Sequence, residues 1–187
     1  MRYRIRLIFN SHIYQKKLAM NSYEEIQSRT AFYPACEKDY LEPLELLKNW
    51  VDVVYFCDIR LTSSHVSKMQ DAKNLAREKS LPIPFFLCAD ALQAINHLRP
   101  VDVFFQRRDS HGEGGSGLFL LGNHRLPSVL KMVKPGGLIV TDGTYAGDWL
   151  AKLVSKIETS IEIAGRNITL LENQSWASNR LTAFRID

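Results

Sequence analysis

Glycine is missing from the first 111 residues; all ten glycines fall between Gly112 and Gly165. A dinucleotide fingerprint or a Walker-type phosphate loop therefore cannot occupy the first half of the chain, because both need glycine for tight turns and close backbone approach. NAD- and ATP-dependent chemistry is disfavoured on that ground. Long apolar runs are missing too. No stretch of 18 successive apolar residues exists, so no membrane span is expected. The N-terminus is basic, but its apolar run, Leu7–Phe9, is too short for the core of a signal peptide. Cysteine is scarce and odd in number. Cys36, Cys57 and Cys88 show neither C-x-x-C nor Cys/His spacing, which argues against a disulfide framework and supports no metal site. They are expected to be free, buried thiols at or near strand ends. The chain reads as soluble and cytoplasmic.

At 187 residues, with 45% hydrophobic and 24% charged content, the chain suits one well-buried domain. The net charge of +4 is compatible with an anionic substrate without demanding one. Residues 1–29 read as an arm and a helix packed on a domain spanning 30–187. Met1–Phe9 alternates Arg2, Arg4 and Arg6 with apolar residues, as an edge strand or extended arm does. A helix is expected over Tyr14–Arg29.

The organising stretch is Phe32–Arg60. Phe32–Cys36 is a short apolar run stopped by Glu37-Lys38-Asp39. Leu44, Leu47, Trp50 and Val51 recur at helical spacing, with Pro43 in the first turn, where its missing N–H matters least. Val51–Cys57 is rich in β-branched and aromatic residues, as a strand buried on both faces should be, and it ends in Asp58. Two parallel strands joined by a helix, with an acid roughly 20 residues past the first loop, make the nucleotide-binding half of a doubly wound α/β fold. There the acid accepts hydrogen bonds from a ribose.

The remaining chain continues the alternation. Ser63 or Ser64 is a plausible N-cap for a helix to about Lys79 that buries Val66, Met69, Ala72, Leu75 and Ala76. Pro82 and Pro84 end that segment, and Phe85–Cys88 is the third strand. Asp90 opens a short helix, Ala91–Leu98, and could cap it while also accepting from the exocyclic amine of a base. Val101–Gln106 is the fourth strand. The loop from Arg107 to Gly117 holds four glycines and a dense ionisable set, Arg107, Arg108, Asp109 and His111, where an open α/β sheet binds ligands. It reads as a substrate-facing lid or as a surface connection. Pro127 starts a helix burying Val129, Leu130 and Val133 that ends at Lys134-Pro135-Gly136-Gly137. Leu138–Thr141 is the fifth strand. After a helix capped by Asp148, Ile168–Leu171 and Leu181–Ile186 form two final strands, joined too closely for a crossover and hence antiparallel. The expected fold is a doubly wound, mostly parallel sheet of the seven-strand type with a terminal antiparallel hairpin, in a three-layer sandwich.

This order resembles the class I S-adenosylmethionine-dependent methyltransferases. Val129–Asp142 (VLKMVKPGGLIVTD) resembles that family's helix, its lysine-proline-glycine-glycine turn and its fifth strand; VDVFFQ, Val101–Gln106, resembles its fourth. The resemblance implies S-adenosylmethionine as cofactor. Asp58, with Ile59, would stand at the ribose and Asp90, with Ala91, at the adenine. Tyr33, Pro34, Ala35, Cys36 and Asp39 would line the methionine end, with Gln106 at the end of the fourth strand. Arg107 and Arg108 would face the acceptor, and Asp109 or His111 could act as base. The acceptor would be a small molecule or a nucleic acid. The sequence departs from the family where an acid and a glycine-rich loop are expected: Tyr33-Pro34-Ala35-Cys36-Glu37-Lys38-Asp39 stands there. Glu37 and Lys38 could block the cofactor's amino-acid half or meet its charges. Two other readings follow from that departure and from the basic arm: a non-catalytic binding or scaffold module, and RNA binding through Arg2, Arg4, Arg6, Lys16 and Lys17.

Overall fold

In the computed structural model the described residues are 28–107, 118, 120–122, 124–141, 150, 160–171 and 181–187. The basic arm and most of the expected N-terminal helix lie outside them. Ser28 and Arg29 are not helical, contrary to the expected Tyr14–Arg29 helix. The Arg29 N–H donates to Asp52 Oδ2 at 2.8 Å, which draws this segment out along the sheet.

Among the described residues, one eight-stranded sheet runs through the molecule. Its strands are β1 (Thr30–Pro34), β2 (Val53–Cys57), β3 (Ile83–Leu87), β4 (Val101–Gln106), β5 (Val133–Thr141), β6 (Ser160–Ile163), β7 (Arg166–Leu171) and β8 (Thr182–Ile186). Their order is β3-β2-β1-β4-β5-β8-β7-β6. The first five are parallel, while β8 pairs antiparallel with both β5 and β7, and β7 with β6. The order reverses between β1 and β4, so the switch point where doubly wound sheets take ligands lies between their carboxyl ends.

Helices cover both faces. α1 (Leu41–Leu47) and α2 (Val66–Glu78) bury Leu44, Leu47, Ala72 and Ala76 against Ala31, Tyr33, Val54, Phe56, Val103 and Phe105. On the other face α3 (Ala91–His97) and α4 (Leu126–Met132) close over Phe32, Phe104 and Ile139. Strand residues alternate between the two cores, as a pleated sheet buried on both sides requires. The expected three-layer α/β sandwich is present.

Several boundaries differ from expectation, each for a local reason. β1 starts at Thr30, whose N–H donates to Asp102 Oδ2 at 2.7 Å, and it stops at Pro34 because Ala35 takes a left-handed φ of 50°. Trp50 and Val51 fall beyond α1 in the turn that leads into β2. Neither Ser63 nor Ser64 caps α2; Ser63–His65 is a 3₁₀ turn that feeds the helix, and Val66 is exposed. Pro84 does not end a segment but sits inside β3. Ile83 N donates to the carbonyl of Asp52, just before β2, so the backbone nitrogen of the buried Pro84 points to the sheet edge, where its missing N–H costs no ladder bond. Val133 opens β5 instead of closing α4. Lys134–Gly137 is a bulge in that strand, opposite Asp102 between the pairs Val101↔Val133 and Val103↔Leu138. Lys134 Nζ reaches both Asp102 carboxylate oxygens at 3.0 Å, so one acid ties the starts of β1, β4 and β5.

Strand β6 was not expected. Ser160-Ile161-Glu162-Ile163 is short, but Ala164 (φ 52°) and Gly165 (φ 75°) form a tight left-handed turn that folds it back on β7.

Candidate ligand cleft

A cleft of ≈ 290 Å³ opens at the carboxyl ends of β1 to β3, lined by Ala35, Asp58, Ile59, Arg60, Asp90, Ala91 and Leu118. Five of the residues singled out from the sequence meet here: Ala35, Asp58, Ile59, Asp90 and Ala91. Arg60 and Leu118 were not anticipated. A cation two residues after the acid was the available sign for Arg60. Nothing in the sequence marked Leu118, which the Arg125 guanidinium holds by its carbonyl.

The loop after β1 carries the principal surprise. Ala35 (φ 50°) and Glu37 (φ 47°) both adopt left-handed backbone, spaced as glycines are in a glycine-rich loop, although neither is glycine. Each such residue costs ~1–2 kcal/mol, so the conformation needs support from its surroundings. Cys36 N donates to Cys57 O at 3.3 Å, Asp39 N donates to Cys36 O at 2.9 Å, and Glu37 N donates to Asp58 Oδ2 at 2.9 Å. Ala35 and Glu37 thus hold, with side chains attached, backbone angles that glycine would take unaided.

Asp58 is accordingly busier than a bare ribose acceptor. It is 4% exposed, and its Oδ1 accepts from Arg60 N at 2.8 Å with Arg60 Nε 3.6 Å away. A carboxylate has about four lone-pair sites, so two backbone donors leave room for a ligand hydroxyl. Asp90 is the N-cap of α3, with Oδ1 accepting from Leu92 N at 2.7 Å and Gln93 N at 3.3 Å. Both bonds fall on one oxygen, which leaves Oδ2 for another donor. Ile59 is 65% exposed and forms an apolar wall.

The other expected contacts point elsewhere. Tyr33 and Cys36 are buried in the core with Phe56 and Phe105, not in the cleft, because alternation along β1 sends Tyr33 to the opposite face. Pro34 is buried and does not line the cleft. The Tyr33 hydroxyl donates to Asp39 Oδ2 at 2.9 Å. Burial, then the Asp39 carboxylate, pushes its pKa far above the ordinary phenol value, so it stays a donor. Arg107, expected to face the acceptor, instead bridges Asp39 at 3.4 Å and Glu42 at 2.8 Å, with its side chain 12% exposed. Gln106 is fully buried, beside the equally buried Thr141 at the end of β5; among the described residues neither side chain has a hydrogen-bond partner. Arg108, Asp109 and His111 lie outside the described residues.

Cys36 and Cys57 are buried free thiols, whereas Cys88 is exposed, against expectation, because it leaves the end of an edge strand. Burial raises both buried thiols, that of Cys57 to about 12 with the nearby Asp58 and Asp90 adding to it. Neither is a nucleophile near neutral pH. Among the described residues no helix is long and apolar enough to cross a membrane.

No protein-family model matches the chain, and no curated protein does. Solved structures do. A methyltransferase from Geobacter sulfurreducens superposes with a TM-score of 0.51 at 12% identity, over 85% of this chain and 71% of that one. An O-methyltransferase family protein from Burkholderia thailandensis gives 0.49 at 13% identity, over 86% and 51%. A Streptococcus mutans protein in complex with SAH gives 0.48 at 10% identity, over 84% and 87%. Identities this low speak for architecture alone, and on that level the strand order, the mixed sheet and the superposition agree: the chain has a Rossmann-like fold, as the Geobacter sulfurreducens methyltransferase has.

Proposed function

We propose that the protein binds S-adenosylmethionine in the cleft over β1 to β3 and transfers its methyl group to an acceptor that is a small molecule or a nucleic acid. The observation that carries this reading is the conjunction of two cleft carboxylates, Asp58 and Asp90, with a loop whose backbone keeps glycine-like angles at Ala35 and Glu37. The residues present fit such a ligand. Asp90 Oδ2 would accept from the exocyclic amine of adenine, and Ile59 would lie against the base. Asp58 would take a ribose hydroxyl on its remaining lone pairs, and the loop from Ala35 to Glu37 would border the amino-acid half. When bound, the cofactor supplies a methyl group on a sulfonium, an electrophile that needs no protein nucleophile. The chain's task is then orientation and exclusion of water. Arg108 would face the acceptor, and Asp109 and His111 are the candidate bases. The net positive charge favours an acidic acceptor. A cytoplasmic setting, with free thiols at Cys36, Cys57 and Cys88, belongs to the same proposal.

A second reading, a methyltransferase-like domain that has lost cofactor binding and serves as a binding or scaffold module, is favoured by one observation: both Asp58 oxygens are already engaged by backbone donors. Calorimetric titration with S-adenosylmethionine and S-adenosylhomocysteine separates the two. The first reading expects micromolar binding, weakened about tenfold or more by Ile59→Asp, an exposed position whose change leaves the fold intact. No heat with either ligand, and no shift in melting temperature, would select the second.

A further inference from the structure

We infer that Tyr33, Asp39 and Arg107 form a side-chain clamp that holds the loop after β1 in its glycine-like course and so positions it for the cleft's ligand. The inference rests on the proposed ligand only for its last clause; the clamp itself is a matter of geometry. Asp39 Oδ2 is the shared point, accepting from the Tyr33 hydroxyl at 2.9 Å with Arg107 Nη1 3.4 Å away. Arg107 Nη2 then pairs with Glu42 Oε2 at 2.8 Å in the first turn of α1. Tyr33 is 1% exposed, and the Asp39 and Arg107 side chains are 7% and 12% exposed, so water competes little for these bonds.

The placement is what gives the clamp a purpose. Tyr33 belongs to β1, Arg107 follows the last residue of β4, and Asp39 lies in the loop between β1 and α1, next to the N-cap Tyr40. The clamp therefore joins the two strands between which the sheet order reverses, on the side of the sheet away from Phe32 and Phe104. Glycine would take the backbone angles of residues 35 and 37 unaided, whereas alanine and glutamate must be held there. Asp58 holds the loop from the cleft side through Glu37 N. The clamp holds it from behind. These three are positioning residues, since none of them lines the cleft.

The test compares Arg107→Met and the volume-conserving Tyr33→Phe with the unaltered chain, each alone and combined with Ala35→Gly and Glu37→Gly. Amide hydrogen exchange is read on the ligand-free protein. The clamp predicts that the residue 37 amide, measured against its intrinsic exchange rate, loses protection about tenfold in the clamp variants while Phe104 in β4 keeps its protection, and that the added glycines return the residue 37 amide towards its original protection. Protection at residue 37 within about twofold of the unaltered chain, or a loss matched at Phe104, would overturn it. Should Arg107→Met fail to fold, Tyr33→Phe alone decides, by the same criteria. Titration with S-adenosylhomocysteine forms the second arm: a clamp variant should lose about tenfold in affinity and the added glycines should recover it. If the unaltered chain takes up no S-adenosylhomocysteine, the proposed function fails, while the exchange arm still judges the clamp.

Discussion

Two turns at opposite ends of the sheet reach left-handed backbone by different means. Beyond the carboxyl end of β1, Ala35 and Glu37 hold φ near 50° without glycine; at the start of β5, Gly136 holds φ 76° with it. The first turn is wrapped by side chains, with Asp58 on one side and Tyr33, Asp39 and Arg107 on the other. The second meets its strand neighbour directly. A Cβ on Gly137 would stand 2.8 Å from the Asp102 carbonyl, 2.8 Å from Val133 Cγ1 and 2.9 Å from the Lys134 carbonyl, whereas one on Gly136 would meet nothing within 4 Å. Glycine therefore does two separable jobs here, permitting an angle at 136 and yielding space at 137. Only the first job can be taken over by surrounding hydrogen bonds. A tethered alanine can be forced into an angle, but no tether makes room for an atom.

Three substitutions would break or sharpen that contrast. Gly137→Ala should be the most damaging, at about 2–3 kcal/mol, because two of the three close atoms are backbone oxygens fixed in the sheet. Chemical denaturation should reveal it as a lower midpoint with an unchanged slope. Gly136→Ala should cost about 1–2 kcal/mol, the price of the angle alone. Were the two equal, space and angle would not be separable at this bulge. Glu37→Gly should change stability least and with the opposite sign, a gain of no more than ~0.5 kcal/mol, since strain relief is offset by the entropy that glycine adds to the unfolded chain. A loss in the melting curve of that variant would mean that residue 37 sits in its left-handed conformation without strain.

The same contrast explains what could be read from the sequence. The strands of the parallel half were legible because each is an apolar, β-branched or aromatic run, and Val101–Gln106 matches its strand end to end. The place of Asp58 and Asp90 in the cleft was legible because a carboxylate shortly after such a run falls at the carboxyl edge of a parallel sheet. The Tyr33–Asp39–Arg107 cluster was not. It depends on which face of β1 receives the tyrosine and on a partner 68 positions away from Asp39, and neither is written in local spacing. Arg107 looked like a loop cation because its neighbours in sequence are polar, while its neighbours in space are acids. Strand β6 was missed for a related reason: four residues carry too little periodicity, and it is the Ala164-Gly165 turn that makes them a strand.

Pro84 has a consequence for how the molecule meets its own copies. β3 is the outermost strand on its side among the described residues, and the groups that an incoming strand would pair with there are those of residues 84 and 86, the first of which has no hydrogen to offer. A foreign strand laid there would begin with a broken rung, so this border of the sheet resists being lengthened from outside. In a crowded solution, the protein carries at that border a built-in deterrent to fibre-like stacking.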